Sequence, residues 1–130
     1  MLKGKNIMAK AMKNSERENR IDMEIIVDAY GPEEQAMGWY YYLEGKLHFP
    51  FLAKCTVERT ISPLRKGDEV EIIRMASEEE CQHEMFVEMR WDGRTLAIPL
   101  SQLKPIAETD KDTREAIEDW HYWVEQGYVL

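Results

Sequence analysis

The chain has 130 residues and a mass of 15.4 kDa, and its 44% apolar content is enough for one domain with its own core. Its 25 Asp and Glu against 17 Lys and Arg give a net charge of −8, which repels phosphate backbones, attracts cations and excludes nucleic acid as the expected partner. Two cysteines, Cys55 and Cys81, could form one pair, but in a chain of this composition they are expected to be reduced and buried.

Lys3, Lys5, Lys10, Lys13, Arg17 and Arg20 crowd the start of the chain, while acids dominate afterwards. The stretch "MLKGKNIMAKAMKNSERENR" has no continuous apolar run of about 7 or more residues, so it fits neither a signal peptide nor a membrane span. Residues 1–20 are therefore read as a basic, flexible arm, loose or marginally helical, ahead of a single domain over 21–130. A cytoplasmic location with no membrane partner is the corresponding expectation.

Ile21, Ile25, Ile26 and Ala29 recur at helical spacing and predict a short helix with Asp22, Glu24 and Asp28 toward solvent. Gly31-Pro32 ends it. Pro32 suits the first turn of a second helix, Glu33 and Glu34 favour its positive N-terminal end, and Gly45 offers a stop after Leu43. Gly38 in mid-helix costs about 1 kcal/mol against Ala and so points to a backbone approaching closely. The run Trp39, Tyr40, Tyr41 and Tyr42 covers more than one helix face, so some rings pack inside while others lie at an edge.

Pro50 in "LHFPF" breaks the helical pattern. Three strands follow in "FLAKCTVERTI", "RKGDEVEIIRMA" and "HEMFVEMRW", the last with Met85, Val87 and Met89 on one side. Asp92-Gly93 is a hairpin signal leading to "RTLAIP", and "PLSQL" reads as one tight helical turn before a last short strand. These elements predict an α+β fold built on a small SH3-like antiparallel β-barrel flanked by short N-terminal helices and a C-terminal helix. In that last helix, Asp110 or Asp112 serves as the cap, Ile117, Trp120 and Val124 form the apolar stripe, and Gly127 is the stop.

A hard cation such as Ca²⁺ needs several oxygen ligands, and Asp28, Glu33 and Glu34 bracket one Gly-Pro turn, with Glu24 one helical turn before Asp28. From pattern alone, two readings stand: a cation site, or a solvated Asp28 beside acids that only favour a helix N-terminus. No segment has the ligand spacing of an EF-hand. Further acids occur at Glu78, Glu79 and Glu80, and at Asp110, Asp112, Glu115, Glu118 and Asp119, where most are expected to be solvated. Cys81 with His83 is a single short-spaced pair, with only Cys55 and His48 elsewhere, so structural zinc is not expected. His121 within "DWHYW" reads as a hydrogen-bonded structural histidine, and no nucleophile and base form a catalytic set. An enzyme is therefore not expected.

The block "EIIVDAYGPEEQAMGWYYYLEGKLHFPFLAKC" closely resembles the small non-EF-hand calcium-binding protein family of cyanobacteria linked to heterocyst differentiation. The likeness continues through "SPLRKGDEVEIIRMA", "CQHEMFVEMRW", "LAIPLSQL" and "AIEDWHYWVEQGY". It implies Ca²⁺ binding by acidic side chains in a cytoplasmic buffer, sequestering protein or sensor, with residues 21–130 as the calcium-binding domain. The metal ligands expected within it are Asp28, Glu33, Glu34 and Glu24. The alternative is an acidic SH3-like protein-interaction module without a physiological metal.

Overall fold

The computed structural model describes residues 14–128 and 130. The arm expected over 1–20 thus lies largely outside the described residues. Within its last part, Ser15–Arg20 forms helix α1. Asn14 caps it, accepting a hydrogen bond on its side chain from the Arg17 N–H at 2.9 Å, which satisfies a donor that has no partner in the first turn.

The helix runs on without a break as a π-helical turn, Ile21–Ile25, that buries Ile21 and Ile25. The helix expected to reach Ala29 therefore stops four residues sooner. Asp28 then takes a left-handed conformation with φ of 58°, one that short polar side chains tolerate better than most.

Helix α2, Pro32–Lys46, has Gly31 at its cap and Pro32 in its first turn. A Cβ added at Gly38 would fall inside van der Waals contact of the Ile25 carbonyl oxygen. The close approach expected at this glycine is real: the π-helical turn lies directly against α2. Trp39 and Tyr40 are buried and Tyr41 is exposed, so the aromatic run does divide between core and edge.

The five strands are β1 (Phe51–Cys55), β2 (Glu69–Met75), β3 (Phe86–Trp91), β4 (Arg94–Pro99) and β5 (Leu103–Pro105). All neighbours are antiparallel, in the order β4-β3-β2-β1-β5. The registers set Ala53 opposite both Val70 and Pro105. Asp92 and Gly93 have φ of 50° and 76°, the positive pair that a tight primed turn requires, and they join β3 to β4 as their sequence predicts.

The expected SH3-like barrel is not formed. β4 and β5 are the two ends of an open sheet and each has one strand partner. Closure would need β5 to pair along the free side of β4. At three residues, with Pro105 lacking an N–H, β5 has too little ladder to do so. The single 3-10 turn Leu100–Gln102 between them matches the tight turn expected there.

Alternation along β1 turns Phe51, Ala53 and Cys55 inward and leaves Leu52 and Lys54 exposed. Val70, Ile72, Val87 and Met89 add to the same core. Tyr40 fastens α2 to this sheet by donating its hydroxyl to the Ala76 carbonyl at 2.9 Å.

Helix α3, Lys111–Glu125, is capped by Asp110, whose side chain accepts the Thr113 N–H at 2.9 Å. Gly127 follows with φ of 86°. Ile117 and Trp120 are buried as expected, but Val124 is 39% exposed and Trp123 takes its place in the core. The seam between α2 and α3 is a cluster of indoles: Trp39 lies edge-on to Trp120 at 5.1 Å and tilted to Trp123 at 5.6 Å, each pair contributing about 0.5–1.5 kcal/mol beyond burial.

Candidate metal centre

The four expected ligands sit on one chain reversal. Glu24 is on the π-helical turn, Asp28 is on the left-handed residue after it, and Glu33 and Glu34 occupy the first turn of α2. All four side chains are exposed. None has a Lys or Arg partner among the described residues, in contrast to Glu71, Glu84, Glu88, Glu115 and Glu118.

Glu34 has one oxygen committed, accepting the Tyr30 N–H at 2.7 Å, a bond that ties the reversal to the start of α2. Its other oxygen and the remaining carboxylates face water. Among the described residues, no three His, Cys, Asp or Glu side chains come together in a metal-holding group. The donor set is chemically right for a hard cation, and it is spread along the turn.

The other acids divide by environment. Glu78 accepts a hydrogen bond from the Tyr41 hydroxyl, Glu80 from the Ser77 N–H, and Glu79 is exposed. Asp110 is the α3 cap, and the Thr113 N–H foremost holds its pKa below the ordinary aspartate range.

Asp119 is fully buried, the exception in a stretch where Asp110, Asp112 and Glu118 are exposed as expected. Arg20 grips it from two sides, Nε to Oδ2 at 3.0 Å and Nη2 to Oδ1 at 2.7 Å. The Tyr42 hydroxyl donates to Oδ2 at 2.7 Å, and Arg17 Nε lies 3.3 Å from Oδ1. Burial first, and then the bond to Asp119, push the Tyr42 hydroxyl well above the usual phenol range. The bond to Asp119 is likewise the main cause holding the Arg20 guanidinium protonated.

This carboxylate is saturated by cations and so is not free to take a metal ion. The sequence carried a signal for it: Asp119 stands three residues after Ala116 and four before Trp123, on the apolar face of α3. An acid there must be paired to be buried.

His121 Nε2 lies 2.7 Å from the Leu103 carbonyl oxygen, the structural role its surroundings suggested. Cys55 and Cys81 are both free and buried. Burial pushes the Cys81 thiol up to about 11, far from the range of a reactive thiolate. No helix among the described residues is long and apolar enough to cross a membrane.

The molecule is an acidic α+β domain with exposed carboxylates on a turn, both thiols buried and His121 hydrogen-bonded to the backbone. A family model described as calcium binding matches residues 19–124. The chain belongs to that family, the CcbP calcium-binding proteins, a family of binding proteins and not of enzymes.

Among solved structures, the crystal structure of Anabaena CcbP is 42% identical over 91% of this chain and 96% of that one, with a TM-score of 0.80. A calcium binding protein in the calcium-binding form is 40% identical over 92% of this chain and 98% of that one, with a TM-score of 0.81. No match is found among curated protein sequences. The resemblance read from the sequence blocks is thus borne out over nearly the whole domain.

Proposed function

We propose that this protein binds Ca²⁺ through the carboxylates of its acidic reversal, Asp28, Glu33 and Glu34 with Glu24, and acts in the cytoplasm as a Ca²⁺ buffer or sequestering protein. The observation that carries the reading is the group of exposed acids on one reversal, inside the family's matched range, that no described Lys or Arg neutralises. Ca²⁺ takes about 6–8 oxygens in flexible geometry. Four carboxylates from two elements, completed by backbone carbonyls and water, suit it better than Mg²⁺, which demands a near-ideal octahedron.

The ligands are not pre-gathered, so the ion draws them together and does so against their mutual repulsion. A protein of this design takes up Ca²⁺ with local ordering of the reversal and leaves the indole core unmoved. That response fits a buffer; a sensor would rearrange its packed elements.

Isothermal titration of the full chain with Ca²⁺, Mg²⁺ and Zn²⁺ tests this directly. Saturable heat is expected for Ca²⁺, weakened about tenfold or more when Asp28→Asn, Glu33→Gln and Glu34→Gln are combined, because ligand charge count sets calcium affinity. Absence of binding at millimolar Ca²⁺ would sink the calcium assignment. Undiminished binding by the triple variant would move the ligands elsewhere. A large Ca²⁺-dependent change in the near-ultraviolet dichroism of the indole cluster would replace the buffer with a sensor.

A further inference from the structure

Lys54 and Lys104 are directly opposite partners in the β1–β5 ladder, and the alternation of both strands turns them to the exposed face. Side chains so placed have Cβ atoms about 4.5–5.5 Å apart, and like charges there repel. Among the described residues neither lysine has a carboxylate within ion-pair distance. In a chain with 25 Asp and Glu against 17 Lys and Arg, two facing cations run against the overall charge balance.

Arg114 joins them from α3. Its Nη2 donates to the Ile106 and Ala107 carbonyls at 2.6 and 3.0 Å, so neutral acceptors fix the guanidinium without cancelling its charge. A groove of about 550 Å³ is lined by Lys104, Arg114 and Arg17, and one of about 320 Å³ by Lys54 and Lys104 beside Ile106 and Ala107. The two share Thr56, Lys104 and Pro105, so Lys104 stands where they meet. Arg17 is committed to Glu118 and Asp119. We propose that Lys104 and Arg114, with Lys54 beside them, hold a small phosphate-class oxyanion at this junction, Arg114 through its free N–H donors and the lysines as point charges.

The acids around these cations set the size of the ligand. Glu118 and Glu125 line the larger groove and Glu69 the smaller, where it is the partner of Lys54 on the β2 side. With a net charge of −8 on the chain, an extended polyanion or an anionic membrane surface meets repulsion on every side, whereas a single phosphate group fits between the cations. None of Glu24, Asp28, Glu33 and Glu34 lines either groove, so the site stands apart from the calcium reading.

Nitrogen-proton NMR of the metal-free full chain, titrated with inorganic phosphate against chloride at matched ionic strength, tests the proposal. Saturable shifts are expected at the Arg114 side-chain Nε–H and at the Thr56 and Ile106 amides. Lys104→Gln should weaken phosphate about threefold or more, as loss of an exposed ion pair does, and combining it with Lys54→Gln should weaken it further. Thermal unfolding gives a second readout: phosphate should raise the Tm of the parent by mass action, and Lys104→Gln should raise Tm in chloride by removing the like-charge pair while losing most of the response to phosphate. Shifts no larger than those in chloride would overturn the site. So would undiminished affinity in the double variant, a lower Tm of Lys104→Gln in chloride, or tighter binding to phosphatidylglycerol vesicles than to phosphate, which would make the patch a surface for an extended polyanion.

Discussion

Replacing Asp119 by Asn tests whether the buried ion knot holds α1 to the body of the protein. The wild-type carboxylate accepts two bonds from Arg20 and one from Tyr42, and bonds to a charged group are each worth about 1.5–3 kcal/mol. Asn keeps the shape and one acceptor oxygen but removes the charge. Arg17 and Arg20, whose side chains are only 20% exposed, then lose a counter-ion that water replaces only in part. The expected loss is about 3–5 kcal/mol, the usual cost of breaking a buried pair from one side.

For a chain of this size the unfolding entropy is about 0.25 kcal/mol per degree, so a 4 kcal/mol loss lowers Tm by about 16 °C. Urea unfolding followed by indole fluorescence and by far-ultraviolet dichroism measures it. Combining Asp119→Leu with Arg20→Met should cost far less than the sum of the two single changes, with a coupling above about 1.5 kcal/mol. A loss under about 1 kcal/mol for Asp119→Asn, or an additive cycle, would refute the reasoning.

Gly38→Ala raises helix propensity yet should destabilise by about 1–3 kcal/mol, because its methyl group meets the Ile25 carbonyl and the π-helical turn must move away; equal or higher stability in urea would show that the turn yields freely. Asp110→Ala should cost about 1 kcal/mol through loss of the α3 cap. Since the folded pKa of Asp110 is depressed, the cap's contribution is complete above the ordinary aspartate range and is lost as pH falls through the folded value. The variant should therefore show a shallower acid-side stability slope than the parent. Cys81 should resist alkylation by iodoacetamide at pH 8 in the folded protein and react in urea, because its thiol is buried and its pKa is raised to about 11; rapid folded-state reaction would contradict that burial.

The local grammar of the chain was legible where a residue's conformation depends on its immediate neighbours. Asp92-Gly93, Pro32, Asp110 and Gly127 each mark a turn or helix end that the backbone adopts. Gly38 signalled a contact because no helix keeps a mid-helix glycine for its own benefit. Helix α1 was read only as marginal helicity in a loose arm because its support is remote: Arg17 and Arg20 are held by Asp119, ninety-nine positions after Arg20. Barrel closure was misjudged for a related reason. Strand existence is written in alternation, whereas closure depends on the length of β5, and three residues leave almost no periodic signal.

The acidic site divides along the same line. Sequence spacing located Asp28, Glu33 and Glu34 on a turn, which is where they are. Spacing along a chain cannot gather carboxylates in space, and among the described residues no metal-holding group is assembled in advance. Asp119 was not separated from the solvated acids around it, because that required tracing the apolar face of α3 through Ala116 and Trp123, and the stripe read from the sequence ran through Val124 instead.

An open sheet leaves two strand edges, and both are poor templates for another molecule. β5 is three residues long, has Lys104 pointing outward and ends on Pro105, while β4 starts with exposed Arg94 and ends on Pro99. A neighbouring chain finds little backbone to pair with at β5. The two borders thus limit edge-to-edge pairing between copies of the sheet by different means, one by shortness and the other by an exposed charge and a terminal proline.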